Sequence, residues 1–154
     1  VVSITIAQSA EDLGYVRDLL VEYASSRDYE TCFVRFEQEL AELPGVYAPP
    51  DGRLLLAMSD GQAAGCVALK KAAAQACEMK RLYVRPGFRG RGIGRALAEE
   101  AVRQAKEIGY ASMRLETLPV MREALALYQA MGFVKKNACS GCCSADIIHM
   151  ELRI

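Results

Sequence analysis

The stretch "RLYVRPGFRGRGIGRALAEEAVRQAKEIGY", residues 81–110, decides how this chain is read. Leu82 and Val84 end a strand-like run. A loop follows in which Arg85, Arg89, Arg91 and Arg95 surround Gly90, Gly92 and Gly94. Ile93, Leu97, Ala101, Val102, Ala105 and Ile108 then recur at helical spacing, and Gly109 is a good helix stop. Strand, glycine loop and helix start together form an anion site. The first N–H groups of a helix lack intrahelical partners, and the helix dipole favours negative charge there. Glycine lets the backbone approach a ligand closely. Arginine suits phosphate oxygens, so phosphate is the expected anion.

The rest of the composition sets bounds. A chain of 154 residues fits one domain, 1–154, and its 52% apolar and 25% charged content is that of a soluble globular protein. Net charge is zero, which argues against a general nucleic-acid or membrane-surface binder. No apolar run reaches bilayer-spanning length, and the first residues do not read as a secretory signal. The six cysteines then read as reduced thiols of a cytoplasmic protein. Cys32, Cys66 and Cys77 sit in apolar patterns, where free cysteine behaves as a small core residue.

Periodicity supplies the remaining elements. "SITIA" (3–7) alternates as a strand, and Ser9 caps a helix carrying Leu13, Val16, Leu19, Leu20 and Tyr23. A second helix is expected over 32–42. Residues 53–71 read as a hairpin turning at "DG" (60–61), and 77–84 as a third strand. After the 92–108 helix come a strand at 112–117 and a helix from Pro119 to Met131 capped by Gly132. "FVKK" and "DIIHMELRI" close the chain as strands. The order β-α-α-β-β-β-α-β-α-β-β predicts an α/β (α+β) domain, a mixed sheet with helices on its faces.

Two nucleotide motifs fail. The loop lacks the Lys-Ser/Thr pair of a P-loop, and position 97 is leucine where a dinucleotide fingerprint needs its third glycine. Arg-x-x-Gly-x-Gly does fit, as Arg89, Gly92 and Gly94. With "RLYVRPGFRGRGIGRAL" and "ALALYQAMGF" (124–133) in that order, the chain resembles the GNAT superfamily of N-acetyltransferases along essentially its whole length. The resemblance implies a mostly antiparallel sheet of six to seven strands with about four helices, and acetyl-CoA as co-substrate. It places the diphosphate on the main chain of Arg89, Gly90, Arg91, Gly92, Ile93, Gly94 and Arg95. It sets the backbone of Leu82 and Val84 against the amide-bearing arm, with an oxyanion donor near Val84.

Acyl transfer to an amine needs a base, because an alkylammonium with a pKa near ~10 does not attack while charged. It needs a donor for the oxyanion and a proton for the leaving thiolate. By resemblance Glu78, eleven residues before Arg89, is a candidate base. A strand glutamate paired with a neighbouring cation is the competing reading. Glu116 is a second candidate base or an acceptor-binding group. Tyr128 matches the tyrosine that many members aim at the coenzyme sulfur; the competing reading puts it in a packing stripe with Leu125 and Met131. Tyr29, Phe33 and Phe36 are candidates for an acceptor pocket or for core. The acceptor is expected to be a small-molecule or peptide amine, and a homodimer stays open. A non-catalytic acyl-CoA sensor, or an enzyme for longer acyl chains, is the alternative. Cys139, Cys142 and Cys143 with His149 fall short of a four-ligand zinc site, so no metal is expected.

Overall fold

The computed structural model describes residues 2–26, 35–136 and 147–154. Seven strands form one sheet: β1 (Val2–Ile6), β2 (Arg53–Ser59), β3 (Gln62–Ala73), β4 (Ala76–Val84), β5 (Ser112–Thr117), β6 (Val134–Lys136) and β7 (Ile148–Arg153). Their spatial order is β1-β2-β3-β4-β5-β7-β6. Only the β4–β5 pair is parallel; β1–β2, β2–β3, β3–β4, β5–β7 and β6–β7 are antiparallel. Four α-helices are described: α1 (Ala10–Ser26), α2 (Phe36–Glu42), α3 (Ile93–Ile108) and α4 (Arg122–Met131). No helix among the described residues is long and apolar enough to cross a membrane.

The sheet separates two apolar clusters. Under one face, α1 and α2 bury Val16, Leu19, Leu20 and Leu43 against Leu54, Leu56, Cys66 and Tyr83. Under the other, α3 buries Ile93, Leu97, Ala98, Ala101 and Ala105 against Leu55, Val67, Leu69, Cys77 and Met79. α3 forms because these residues line one stripe at intervals of three and four. It ends at Gly109, whose φ of 110° suits glycine and whose N–H returns to the Ala105 carbonyl at 3.1 Å. The β2–β3 turn holds Asp60 at φ 52° and Gly61 at φ 79°, the paired positive torsions of a tight hairpin.

One expectation needs correction. Pro119 does not begin α4. The Met121 N–H donates to the Leu118 carbonyl at 2.9 Å, a turn in which Pro119 supplies the fixed φ, and the helix starts at Arg122. The second helix is described only from Phe36, since residues 32–34 lie outside the described residues.

The feature that shapes the site lies in β4. Cys66 pairs with Tyr83 but Ala68 pairs with Lys80, so Val67 faces both Arg81 and Leu82. Arg81 takes φ 61° to absorb the extra residue, as a β-bulge requires. The bulge inverts the alternation. Cys77 and Met79 face the α3 side before it, and Leu82 and Val84 return to that side after it.

β3 and β4 approach closely beside the bulge. A Cβ on Gly65 would lie 2.5 Å from the Tyr83 carbonyl oxygen and 3.2 Å from Leu97 Cδ1. Gly65→Val should therefore cost about 2–3 kcal/mol in urea denaturation, as overpacking against backbone does. A loss under about 0.5 kcal/mol, the range of neutral surface changes, would mean that β3 and β4 part locally.

Candidate active site

β4 and β5 pair only at Ala76–Ser112, Cys77–Met113 and Glu78–Arg114. Beyond Glu78 the strands diverge, and β4 presents an unpaired edge. The Arg85 N–H donates to Ala64 of β3 at 2.8 Å. Alternation then turns the N–H and C=O of Val84 toward the gap. The Val84 carbonyl indeed accepts from Arg89 Nε there at 3.0 Å.

The gap opens into a cleft of about 490 Å³. Leu82 and Val84 form one wall, Ala124 and Leu127 of α4 another, and Gly90, Gly92 and Gly94 the end. Gly90 and Gly92 both hold φ 79°. Gly92 caps α3, and its carbonyl accepts the first helical bond, from Ala96. The six consecutive amides from Gly90 to Arg95 have no hydrogen-bond acceptor among the described residues. A Cβ on Gly90 or Gly92 would meet nothing within 4 Å, so the space over these amides is open.

The four loop arginines divide. Arg85 is committed to the Glu22 carboxylate of α1, with Nε 3.0 Å from Oε1, and to the Ala63 carbonyl. It is not available to an anion, against expectation. Arg89 lies over the Tyr83 ring, 5.9 Å from its centre, and Arg91 over Phe88 at 5.3 Å. Arg95 is exposed beside Glu99.

Tyr128, Glu78 and Glu116 lie on different faces of the sheet, and none of the three is among the residues that line the cleft. Tyr128 comes from α4 on the α3 side and is buried against Phe133, ring centres 5.8 Å apart. No described residue hydrogen-bonds its hydroxyl, yet no buried side-chain oxygen or nitrogen among the described residues lacks a partner; the hydroxyl therefore keeps an opening. Burial raises its pKa, and Tyr23 adds to the shift. Glu78 sits where the gap closes. Its neighbours Cys77 and Met79 face the α3 side, so Glu78 faces the other, 3.8 Å from Lys70 rather than paired with Lys80 or Arg81. Glu116 shares that face and lies 3.7 Å from His149 across the β5–β7 register. Tyr29, Phe33, Cys32, Cys139, Cys142 and Cys143 lie outside the described residues. Phe36 packs into the α1–α2 cluster. Among the described residues no group of His, Cys, Asp and Glu is arranged to hold a metal.

The bulge has its own anchor. Arg81 donates from Nε to Glu39 Oε2 and from a terminal nitrogen to Oε1, both at 2.9 Å. Burial alone would raise the Glu39 carboxyl, but the hydrogen bonds and charge of Arg81 hold it below its ordinary value.

The sequence profile of the Acetyltransferase (GNAT) family matches residues 13–133. The chain belongs to the GNAT acetyltransferase family. An uncharacterized N-acetyltransferase of Schizosaccharomyces pombe is 37% identical to this GNAT domain over 134 residues, covering 86% of the chain and 82% of the relative. The uncharacterized N-acetyltransferase YjgM of Escherichia coli is 30% identical, with 82% and 77% covered. The GNAT fold is shared with the PaiA N-acetyltransferase of Thermoplasma acidophilum, solved with coenzyme A. The TM-score is 0.76 at 23% identity, over 100% of this chain and 99% of that one.

The GNAT cleft also contains residues that pattern reading missed. Tyr23 lines it, though helical spacing assigned it to the core; Arg122 and Leu127 line it from α4. The bulge did leave a signal. In "CEMKRLYV" the apolar alternation breaks at Lys80-Arg81 and resumes one residue out of phase.

The Glu39–Arg81 pair yields a pH test. A carboxyl held below its unfolded value of ~4.3 adds stability above that pH and loses it as pH falls through the folded value. Glu39→Gln should cost about 3 kcal/mol near neutrality, because the buried Arg81 guanidinium loses its bidentate carboxylate. In denaturation series the difference should shrink below pH ~4. A difference equally large in acid would remove charge from the explanation.

Proposed function

We propose that this GNAT domain transfers an acetyl group from acetyl-CoA to a primary amine by direct attack in a ternary complex. One observation carries the reading: a run of amides, Gly90–Arg95, with no acceptor among the described residues, meets a cleft that Gly90, Gly92, Ile93 and Gly94 line together with the unpaired edge of β4. Amides at a helix start fit a diphosphate. A strand edge fits the amide-bearing arm of the coenzyme, since both sides hold donors and acceptors that need partners. The Thermoplasma relative solved with coenzyme A supports the same choice of ligand.

The chemistry divides between the two faces of the gap. Val84 directs its N–H into the gap, where a carbonyl oxygen gaining negative charge would accept it. Glu78 and Glu116 stand on the face opposite α4, the side from which an amine can lose its proton to a carboxylate. Tyr128 approaches from α4 and donates its hydroxyl to the departing sulfur. Burial makes a phenol a weaker acid, but it raises a thiol as well. The chain's own buried thiols, Cys66 and Cys77, are both pushed up to about 12 by desolvation. A coenzyme thiol desolvated in the same way would shift in the same direction as its donor.

Ligand binding and turnover test the reading separately. Acetyl-CoA should raise the melting temperature of the wild type by stabilising the native state. Gly92→Val should fold and lose most of that shift, because φ 79° is strained for valine and its side chain would stand over the amides. A full shift in the variant would remove the loop from the site. Stabilisation without turnover on any amine of a broad panel would favour a sensor over an enzyme.

Tyr128→Phe keeps the ring and removes the hydroxyl. Its kcat should fall by roughly 10²-fold, the low end for a positioned acid, while the acetyl-CoA melting shift is retained. An unchanged kcat, measured where chemistry limits the rate, would return Tyr128 to packing.

A further inference from the structure

α1 and α4 lie on opposite sides of the sheet, one packed in each apolar cluster. A side chain of α1 should therefore be screened from α4 by the strands between them. Tyr23 of α1 breaks that expectation. It lines the same cleft as Leu127 of α4 and the glycine loop.

Tyr23 is also held firmly. Its ring stacks on that of Tyr83, centres 5.1 Å apart and planes within 12°. Tyr83 is itself buried, at 6% exposure, between two residues of the cleft wall, Leu82 and Val84. The two rings form a double layer that does not yield as a single exposed side chain would. Gly90, Gly92 and Gly94 line one end of the cleft, and Leu82 and Val84 line the open strand edge. A thioester seated with its diphosphate on the glycine loop would run along that edge, and Tyr23 lines the cleft from the α1 side of the sheet.

We propose that Tyr23, backed by Tyr83, is the acyl gauge of this enzyme: its ring closes the α1 side of the gap and admits acetyl while excluding longer acyl chains. The proposal rests on the acetyl-transfer reading and adds to it the side chain that limits the transferred group to acetyl. A rigid aromatic wall acts by overlap. Each methylene beyond the space available must displace the stacked rings, and a single methylene at a fitted apolar site discriminates by about tenfold or more.

The experiment measures dissociation constants for free coenzyme A, acetyl-CoA and hexanoyl-CoA by calorimetry without acceptor. It uses wild type, Tyr23→Ala, Tyr23→Leu and Tyr23→Phe. The wild type should bind acetyl-CoA at least about tenfold more tightly than hexanoyl-CoA. Tyr23→Ala should bring the two within about threefold, and Tyr23→Leu should move the same way should the alanine protein fail to fold. Tyr23→Phe, which keeps the ring, should retain the wild-type ratio. An alanine or leucine variant that keeps the wild-type ratio overturns the gauge, as does a wild type without discrimination. So does a phenylalanine variant as permissive as alanine, since the hydroxyl and not the wall would then be responsible. Failure of the wild type to bind free coenzyme A overturns the acyl-transfer reading and the gauge with it. Binding of coenzyme A with a ratio indifferent to Tyr23 overturns the gauge alone.

Discussion

Everything at the site depends on the separation of β4 from β5. A sheet gains by pairing every backbone group, and an unpaired edge inside a sheet is costly unless water or a ligand satisfies it. This domain keeps three residue pairs between the strands and then lets them part. The bulge at Arg81 is the local device. It bends β4, changes which residues face the gap, and is secured to α2 by the Glu39 carboxylate. β3 remains paired on the other side of β4, so the strand is supported while one edge stays open.

In the proposed function the open edge and the glycine loop divide recognition from chemistry. The coenzyme would then meet mainly main chain: the amides of Gly90–Arg95 and the outward groups of Val84. Arginine side chains have smaller parts than their number suggests. Arg85 ties β4 to Glu22, and Arg89 braces the Val84 carbonyl and the Tyr83 ring. The groups with reactive side chains come instead from two faces. Tyr128 comes from α4 on the α3 face, while Glu78, Glu116 and Tyr23 lie on the opposite side. The proposed function has the two sets meet at the gap.

Much of this was legible in the residues, for identifiable reasons. α3 could be read because its apolar stripe is long and regular and glycine marks both ends. The 53–71 hairpin could be read because "DG" demands its turn. The glycine loop running into a helix start could be read from the residues alone, and the family from the order of two motifs. Pro119 misled because proline suits both the first turn of a helix and the second position of a tight turn, and only the Leu118–Met121 hydrogen bond separates these. Arg85 misled because a charge in a loop does not declare its partner; Glu22 lies sixty-three positions away in the chain. Tyr23 was hidden for a related reason. Helical spacing assigns it to a buried stripe, and nothing in that spacing tells that the sheet beneath it is split.

The split has a consequence for how the protein lives among other chains. Exposed strand edges are templates on which further strands add, the first step toward aggregation. Here the free edge is recessed between two strands joined at their base, with the Arg89 guanidinium resting on one of its carbonyls. A second polypeptide would need to thread its backbone into a cleft of about 490 Å³ already flanked by α4. A slender arm suits such an opening better than a chain with side chains on both faces. The geometry that leaves hydrogen-bonding capacity unused thus also keeps it from being used by the wrong partner.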